Sequence, residues 1–196
     1  IKISATAKEE IIQPETWTNG ALKINIVATG AVESFDVFVN KDGTGYKQIV
    51  KNATGKKTLT YDDKQTGKYQ VKVRAYNDQG ISCETDGITY YQDNIAPSCQ
   101  TNAVYEDSGA PYNGGWTNKN ISLKPICTDH ESGCNTNKNL GTLINKEYNT
   151  ELSAGVIYDI AGNSAQCPKV KVQIDKTKPV CRIGLSGNKG NNDYYV

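Results

Sequence analysis

Five residues of this chain recur at one fixed interval. Tyr76, Gly80, Asp93, Pro97 and Cys99 are matched, at the same offset each time, by Tyr158, Gly162, Asp175, Pro179 and Cys181. A long constant period marks a chain assembled from copies of one unit, so the possible folds are those a single copy can complete. A second pair of landmarks sets the copies' lengths. Trp17-Thr18-Asn19 returns as Trp116-Thr117-Asn118, but the stretch from Trp116 to Tyr158 is much shorter than the stretch from Trp17 to Tyr76. The second copy has therefore lost a segment from its middle strands. The predicted division is residues 1–97, residues 98–178 and a stub at 179–196. In the stub Cys181-Arg182-Ile183 opens a third copy, and Asn192-Asp193-Tyr194-Tyr195 stands where Asn113-Gly114-Gly115-Trp116 stands in the second. The stub is too short to bury a core of its own. The chain contains no methionine and opens on no signal peptide, which reads as a mature or excised piece.

Within each copy the apolar residues alternate. Leu22, Ile24 and Ile26 are separated by Lys23 and Asn25; Phe35, Val37 and Val39 follow the same rule, as do Tyr69, Val71, Val73 and Ala75. Period two is the signature of a half-buried strand. Turn residues close these runs at Lys41-Asp42-Gly43, Asn52–Gly55 and Asn77–Gly80. In the second copy Ile121 and Leu123 repeat the spacing from the tryptophan, and Val170, Val172 and Ile174 form the last strand. No stretch has helical periodicity. About seven short strands per copy predict an all-β chain of β-sandwich units.

Charge excludes several partners. Residues 1–97 carry 12 basic and 12 acidic groups and residues 98–178 carry 8 of each, for a net charge of +1 over the chain. With no basic stripe, nucleic acid and anionic membrane surfaces are excluded as expected partners. The apolar runs are too short to cross a bilayer as a helix.

Six cysteines allow 15 pairings, and the repeat prunes them. No C-x-x-C pair of a zinc site occurs, so the expected chemistry is disulfide formation in an oxidising compartment. Cys127 and Cys134 occur only in the second copy and bracket Thr128–Gly133, which predicts a short closed loop. Cys99 opens a first strand and Cys167 follows a turn, which places both at one end of a sandwich and predicts their pairing. A staple across the joint, Cys83 to Cys99 and Cys167 to Cys181, would need the last strand of each copy to fold back. Extended, the chain between such a pair reaches about 45–55 Å, and a disulfide needs Cα atoms within about 7 Å. Cys83 and Cys181 are thus expected to be unpaired, their partners lying just before Ile1 and beyond Val196.

The inventory for catalysis is poor. The single histidine, His130, lies in no H-E-x-x-H, and Gly184-Leu185-Ser186-Gly187 has the wrong spacing for a nucleophile elbow. The expectation is no enzyme and no cofactor. Cys127, His130 and Cys134 could ligate a metal only if the disulfide were open. Asp93 and Asp175, with Asp159 or Asp78, could bind calcium at the joints. Each joint, however, offers few of the six to eight oxygens calcium takes, and a side chain capping its own turn is the favoured reading. Trp17 and Trp116 are read as buried plugs rather than sugar platforms. Tyr90-Tyr91 and Tyr194-Tyr195 are the candidates for an exposed ligand surface. Asn52-Ala53-Thr54 and Asn120-Ile121-Ser122 match the glycosylation sequon.

Four of these segments together carry a resemblance. The paired Trp-Thr-Asn, the Cys127-Thr128-Asp129…Ser132-Gly133-Cys134 loop, Asp159-x-Ala161-Gly162-Asn163 and Asp175-Lys176-Thr177-x-Pro179 resemble tandem bacterial Ig-like domains of secreted or surface-anchored Gram-positive proteins. The first copy departs from the pattern, with Asn77-Asp78-Gln79-Gly80 at the turn and no loop cysteines. The resemblance implies two tandem Ig-like β-sandwich domains in an elongated arrangement at the cell surface. It implies a stalk or adhesion segment whose partners are neighbouring repeats and a host or matrix protein or glycan; a carbohydrate-binding accessory module is the alternative.

Overall fold

The computed structural model describes residues 1–184, so Tyr194 and Tyr195 fall outside the described residues. Every regular element among them is a strand. The first unit holds β1 (Lys2–Ala7), β2 (Glu10–Ile12), β3 (Trp17–Thr18), β4 (Leu22–Val27), β5 (Ser34–Lys41), β6 (Lys47–Ala53), β7 (Lys56–Tyr61), β8 (Gly67–Tyr76), β9 (Ser82–Glu84) and β10 (Ile88–Gln92). The second holds β11 (Ser98–Tyr105), β12 (Ile121–Thr128), β13 (Thr142–Ile144), β14 (Tyr148–Ser153), β15 (Val156–Tyr158), β16 (Ser164–Gln166) and β17 (Lys169–Ile174).

In the first unit one sheet runs β2-β1-β4-β7 and the other β3-β10-β8-β5-β6, with β9 beside β8. The chain changes sheet between β4 and β5, β6 and β7, and β7 and β8, which is the crossover pattern of an Ig-like sandwich. Alternation decides what lies between the sheets. Ala5, Leu22, Ile24 and Ile26 face Phe35, Val37, Val39, Tyr69, Val71, Val73 and Tyr90 in one closed core. Each fully buried aliphatic or aromatic side chain contributes about 1.5–3 kcal/mol relative to exposure.

The second unit has fewer strands. Its β12 pairs with β11 and β13, β14 pairs with β17, and β15 pairs with β16. Tyr76 faces Ser82 in the first unit and Tyr158 faces Ser164 in the second, so β14 and β15 together replace β8, while β16 and β17 replace β9 and β10. Among the described residues no strand replaces β5 and β6. Where the first unit has these two strands, the second has residues 129–141 between β12 and β13. The core shrinks to Tyr112, Ile121, Leu123, Ile144, Ala154, Ile157, Cys167, Val172 and Ile174.

Covalent and polar links add to this smaller core. Cys99 and Cys167 are joined, with Cα atoms 5.0 Å apart, and the buried Cys167 belongs to the core itself. Cys127 and Cys134 close their loop with Cα atoms 6.1 Å apart. The edge that β5 would have covered is held by backbone and by a side chain: the Asn135 N–H donates to the Tyr158 carbonyl at 2.9 Å and the Ile160 N–H to the Gly133 carbonyl at 2.8 Å. Asn139 Nδ2 also donates to the Tyr158 carbonyl at 3.0 Å and its Oδ1 accepts the Tyr158 N–H at 2.7 Å, so a carboxamide completes that pairing.

Cys83 and Cys181 are free and exposed. Cys83 faces Ala75 as Ala165 faces Ile157, so it occupies the position of Ala165 and not that of Cys167. The repeat also places the counterpart of Cys99 at Ile1. Cys99 lies opposite Cys127 one step beyond a Gln100–Ile126 pair, and Ile1 lies one step beyond the Lys2–Val27 pair.

Candidate functional site: the joint between the two cores

The joint is built from four short segments, two from each unit. Thr18 lies beside Gln92 in a parallel pair, and the Asp93 N–H returns to the Thr18 carbonyl at 2.9 Å. This directs the Asp93 side chain off the end of the sandwich. One carboxylate oxygen of Asp93 accepts the Ile95 N–H at 2.9 Å, an Asx turn that starts the Asn94–Pro97 link. The other accepts the Ser132 N–H at 3.1 Å from the second unit. Asp93 is 0% exposed, and Pro97 is buried with it.

The second unit supplies two loops. Asp129 accepts the Gly133 N–H at 2.6 Å inside the Cys127–Cys134 loop. In the other loop, Asp159 Oδ1 accepts the Gly162 and Asn163 N–H groups at 2.6 and 2.7 Å. Gly162 has φ +97°, where a side chain would be strained, which accounts for the glycine of the Asp-x-Ala-Gly-Asn turn. Asn163 then works in three directions. Its Nδ2 donates to Asp159 Oδ2 at 2.7 Å and to the Asp93 carbonyl at 2.9 Å, and its Oδ1 accepts from Asn19 Nδ2 at 3.2 Å.

Asp93, Asp129 and Asp159 come together here, each presenting one oxygen within 4.8 Å of the others. None of the ion pairs among the described residues reaches them. Burial is the main cause that pushes the Asp159 carboxyl upward, its bonds to Asn163 and Gly162 oppose the rise, and the Asp93 charge adds to it. Three hard oxygens so placed can share a proton or contribute part of the shell of a divalent cation. The N–H donors on Asp93 and Asp159 already take up both oxygens of each.

The joint corrects several expectations and places others. Asp93 does cap its own turn, and of the two companions offered for it Asp159 lies beside it and Asp78 does not, with Asp129 as the third member. Asp175 repeats the local geometry at the far end of the second unit: its N–H bonds the Thr117 carbonyl at 2.9 Å and its Oδ1 accepts the Thr177 N–H at 2.9 Å. Asp175 and Pro179 are exposed where Asp93 and Pro97 are covered. His130 is exposed and outside the cluster, and both loop cysteines are bonded to each other. Tyr90 is 1% exposed: alternation along β10 turns it into the core, so it offers no ligand surface, and Tyr91 is half-buried under Trp17. The two tryptophans differ. Trp17 is half-buried, whereas Trp116 is 60% exposed and is no plug, because it lacks the ring that Trp17 lies on. Sequence reading missed Asp129 and Asn163 as partners of Asp93. Their signal was present in the Cys-Thr-Asp and Asp-x-Ala-Gly-Asn motifs, but nothing in one dimension brings those loops to the preceding unit.

No protein-family model matches the chain, and no curated protein sequence does. A structural likeness is found to the fibronectin(III)-like modules of CbhA from Clostridium thermocellum. It has 13% identity and a TM-score of 0.37, and it covers 92% of this chain and 100% of that one. A likeness that remote carries no argument about the joint.

Proposed function

We propose that the chain is a non-catalytic extracellular module: Ig-like repeats, residues 1–97 and 98–178 with a third beginning at 179, forming a rigid stalk or adhesion segment of a Gram-positive surface protein. The observation that carries this reading is the set of hydrogen bonds across the joint, from Ser132 and Asn163 to Asp93 and from Asn19 to Asn163. A flexible linker makes no such bonds; a spacer must resist bending, and buried polar contacts fix one orientation because breaking them leaves desolvated groups unpaired. Two disulfides support an oxidising, extracellular setting. Residual dipolar couplings measured on both units test the reading. A single alignment tensor is expected, and two independent tensors would show a hinge and overturn the stalk.

A further inference from the structure

Trp116 opens a groove that the joint does not use. The first unit places Trp17 against Tyr91, with ring centroids 4.8 Å apart. Thr117 faces Ile174 as Thr18 faces Gln92, so the place of Tyr91 is taken in the second unit by Gln173. The indole of Trp116 has no ring beneath it, and the Gln173 amide lies between the indole N–H and the Asn149 carboxamide. Trp116 thereby forms one wall of a cavity of about 440 Å³ lined also by Glu147, Tyr148, Asn149, Ile174 and Asp175. The Glu147 carboxylate is held in place by the Thr177 hydroxyl.

We propose that this groove binds pyranose rings of a neutral glycan. A sugar ring offers a face of C–H groups and a rim of hydroxyls, and the groove offers the complement. The exposed indole is a flat apolar surface with a negative π face for the C–H groups. The Glu147 carboxylate and the Asn149 carboxamide accept and donate at the rim, while the Asp175 carboxylate is partly committed to its own turn. Glu147 and Asp175 with no lysine or arginine in the lining exclude a phosphorylated, sulfated or uronic-acid glycan, whose charge would meet only like charge. The mixed polar lining also disfavours a lipid. The volume lies within the usual range for a small-ligand site of about 300–1,000 Å³. A glycan here and a rigid joint at Asp93 are independent properties, and either can hold without the other.

The test uses the full chain and four probes: cellohexaose, xylohexaose, chitohexaose and mannohexaose. Calorimetry should show saturable binding of at least one, and the emission of the W17F variant, whose only indole is Trp116, should shift with it. W116A should weaken that binding about tenfold or more, equivalent to about 1.4 kcal/mol. W17F should leave it unchanged, and E147Q should weaken it without altering the circular dichroism spectrum. E147Q keeps the test decisive if W116A fails to fold. The proposal is overturned if none of the four binds up to about 10 mM, a range that would include even weak sites, or if W116A and E147Q both bind like wild type. It is equally overturned if choline binds saturably and no glycan does, since one indole beside two carboxylates would then be a cation site.

Discussion

Asn163 Nδ2 donates to the backbone carbonyl of Asp93 at 2.9 Å, across 70 residues of sequence and from one core unit to the other. The same side chain closes its own hairpin turn on Asp159 and receives Asn19. One carboxamide thus ties the local turn to the joint, and the turn cannot loosen without loosening the joint.

Replacing Asn163 by Ala should separate the two units mechanically while leaving both folded. The three lost bonds predict a cost of about 1–3 kcal/mol, since buried acceptors are left unsatisfied. Amide hydrogen exchange is the measurement. The Ser132 and Ile95 N–H groups should lose protection in N163A while the core amides of Ile24 and Val71 keep theirs. Unchanged protection at Ser132 would mean that Asn163 contributes nothing to the joint.

Asp159 gives the protein a pH dependence of definite sign. Its folded-state carboxyl is raised above its ordinary value by burial. The folded state therefore binds the proton more tightly than the unfolded chain. Its share of stability is present at low pH and is lost as the pH rises through the raised value. Urea titrations between about pH 4 and pH 7 should show wild type gaining stability relative to D159N on acidification. The exposed pairs at Glu84 and Asp107 are shifted downward, chiefly by hydrogen bonds to Lys72 and Lys119, and act in the opposite sense in both proteins, so they cancel in the difference.

The second unit, with no counterparts of β5 and β6 among the described residues and a smaller core than the first, should depend strongly on its disulfide. Opening the Cys99–Cys167 loop in a C99A/C167A variant should cost about 2–5 kcal/mol, the range for a native disulfide in a small domain. The emission of Trp116 should report unfolding at lower urea than that of Trp17. Native protein without reductant should present two reactive thiols, Cys83 and Cys181, to a thiol reagent. Any other count would contradict the pairing.

Asn139→Ala tests what the side chain adds to the backbone pairing at this edge. It removes both bonds to the Tyr158 backbone. The Tyr158 carbonyl keeps the Asn135 N–H, so the Tyr158 N–H is the group left unpaired; the expected loss is about 1–3 kcal/mol, with faster exchange at that N–H. An N139D variant keeps the acceptor and should retain the protection of that N–H while losing the donor to the Tyr158 carbonyl.

Much of the fold was legible in one dimension because alternation is a local signal. Leu22, Ile24 and Ile26 had to share a face, and so did Tyr69, Val71 and Val73, whatever packed against them. Tyr90 obeys the same rule and faces the core, against the expectation of an exposed tyrosine pair. The candidate site was less legible. Asp93 announced itself as a turn cap through the Asp-x-x-x-Pro spacing, which is again local. Asp129 and Asp159 reach it from loops of the following unit, and no local pattern points from those loops back to Asp93.

The sequence by itself determined the repeat, the strands and the shortening of the second copy, since each is a matter of spacing along the chain. Only the tertiary structure decided that β5 and β6 have no counterparts among the described residues of the second unit, that Asn139 completes the pairing at the Tyr158 edge, and that Trp17 is half-buried where Trp116 stands exposed. Burial is a property of what lies opposite in space. The substitution of Gln173 for Tyr91 that frees the Trp116 indole sits at the far end of the second unit's chain, on a strand that the sequence alone does not place beside it.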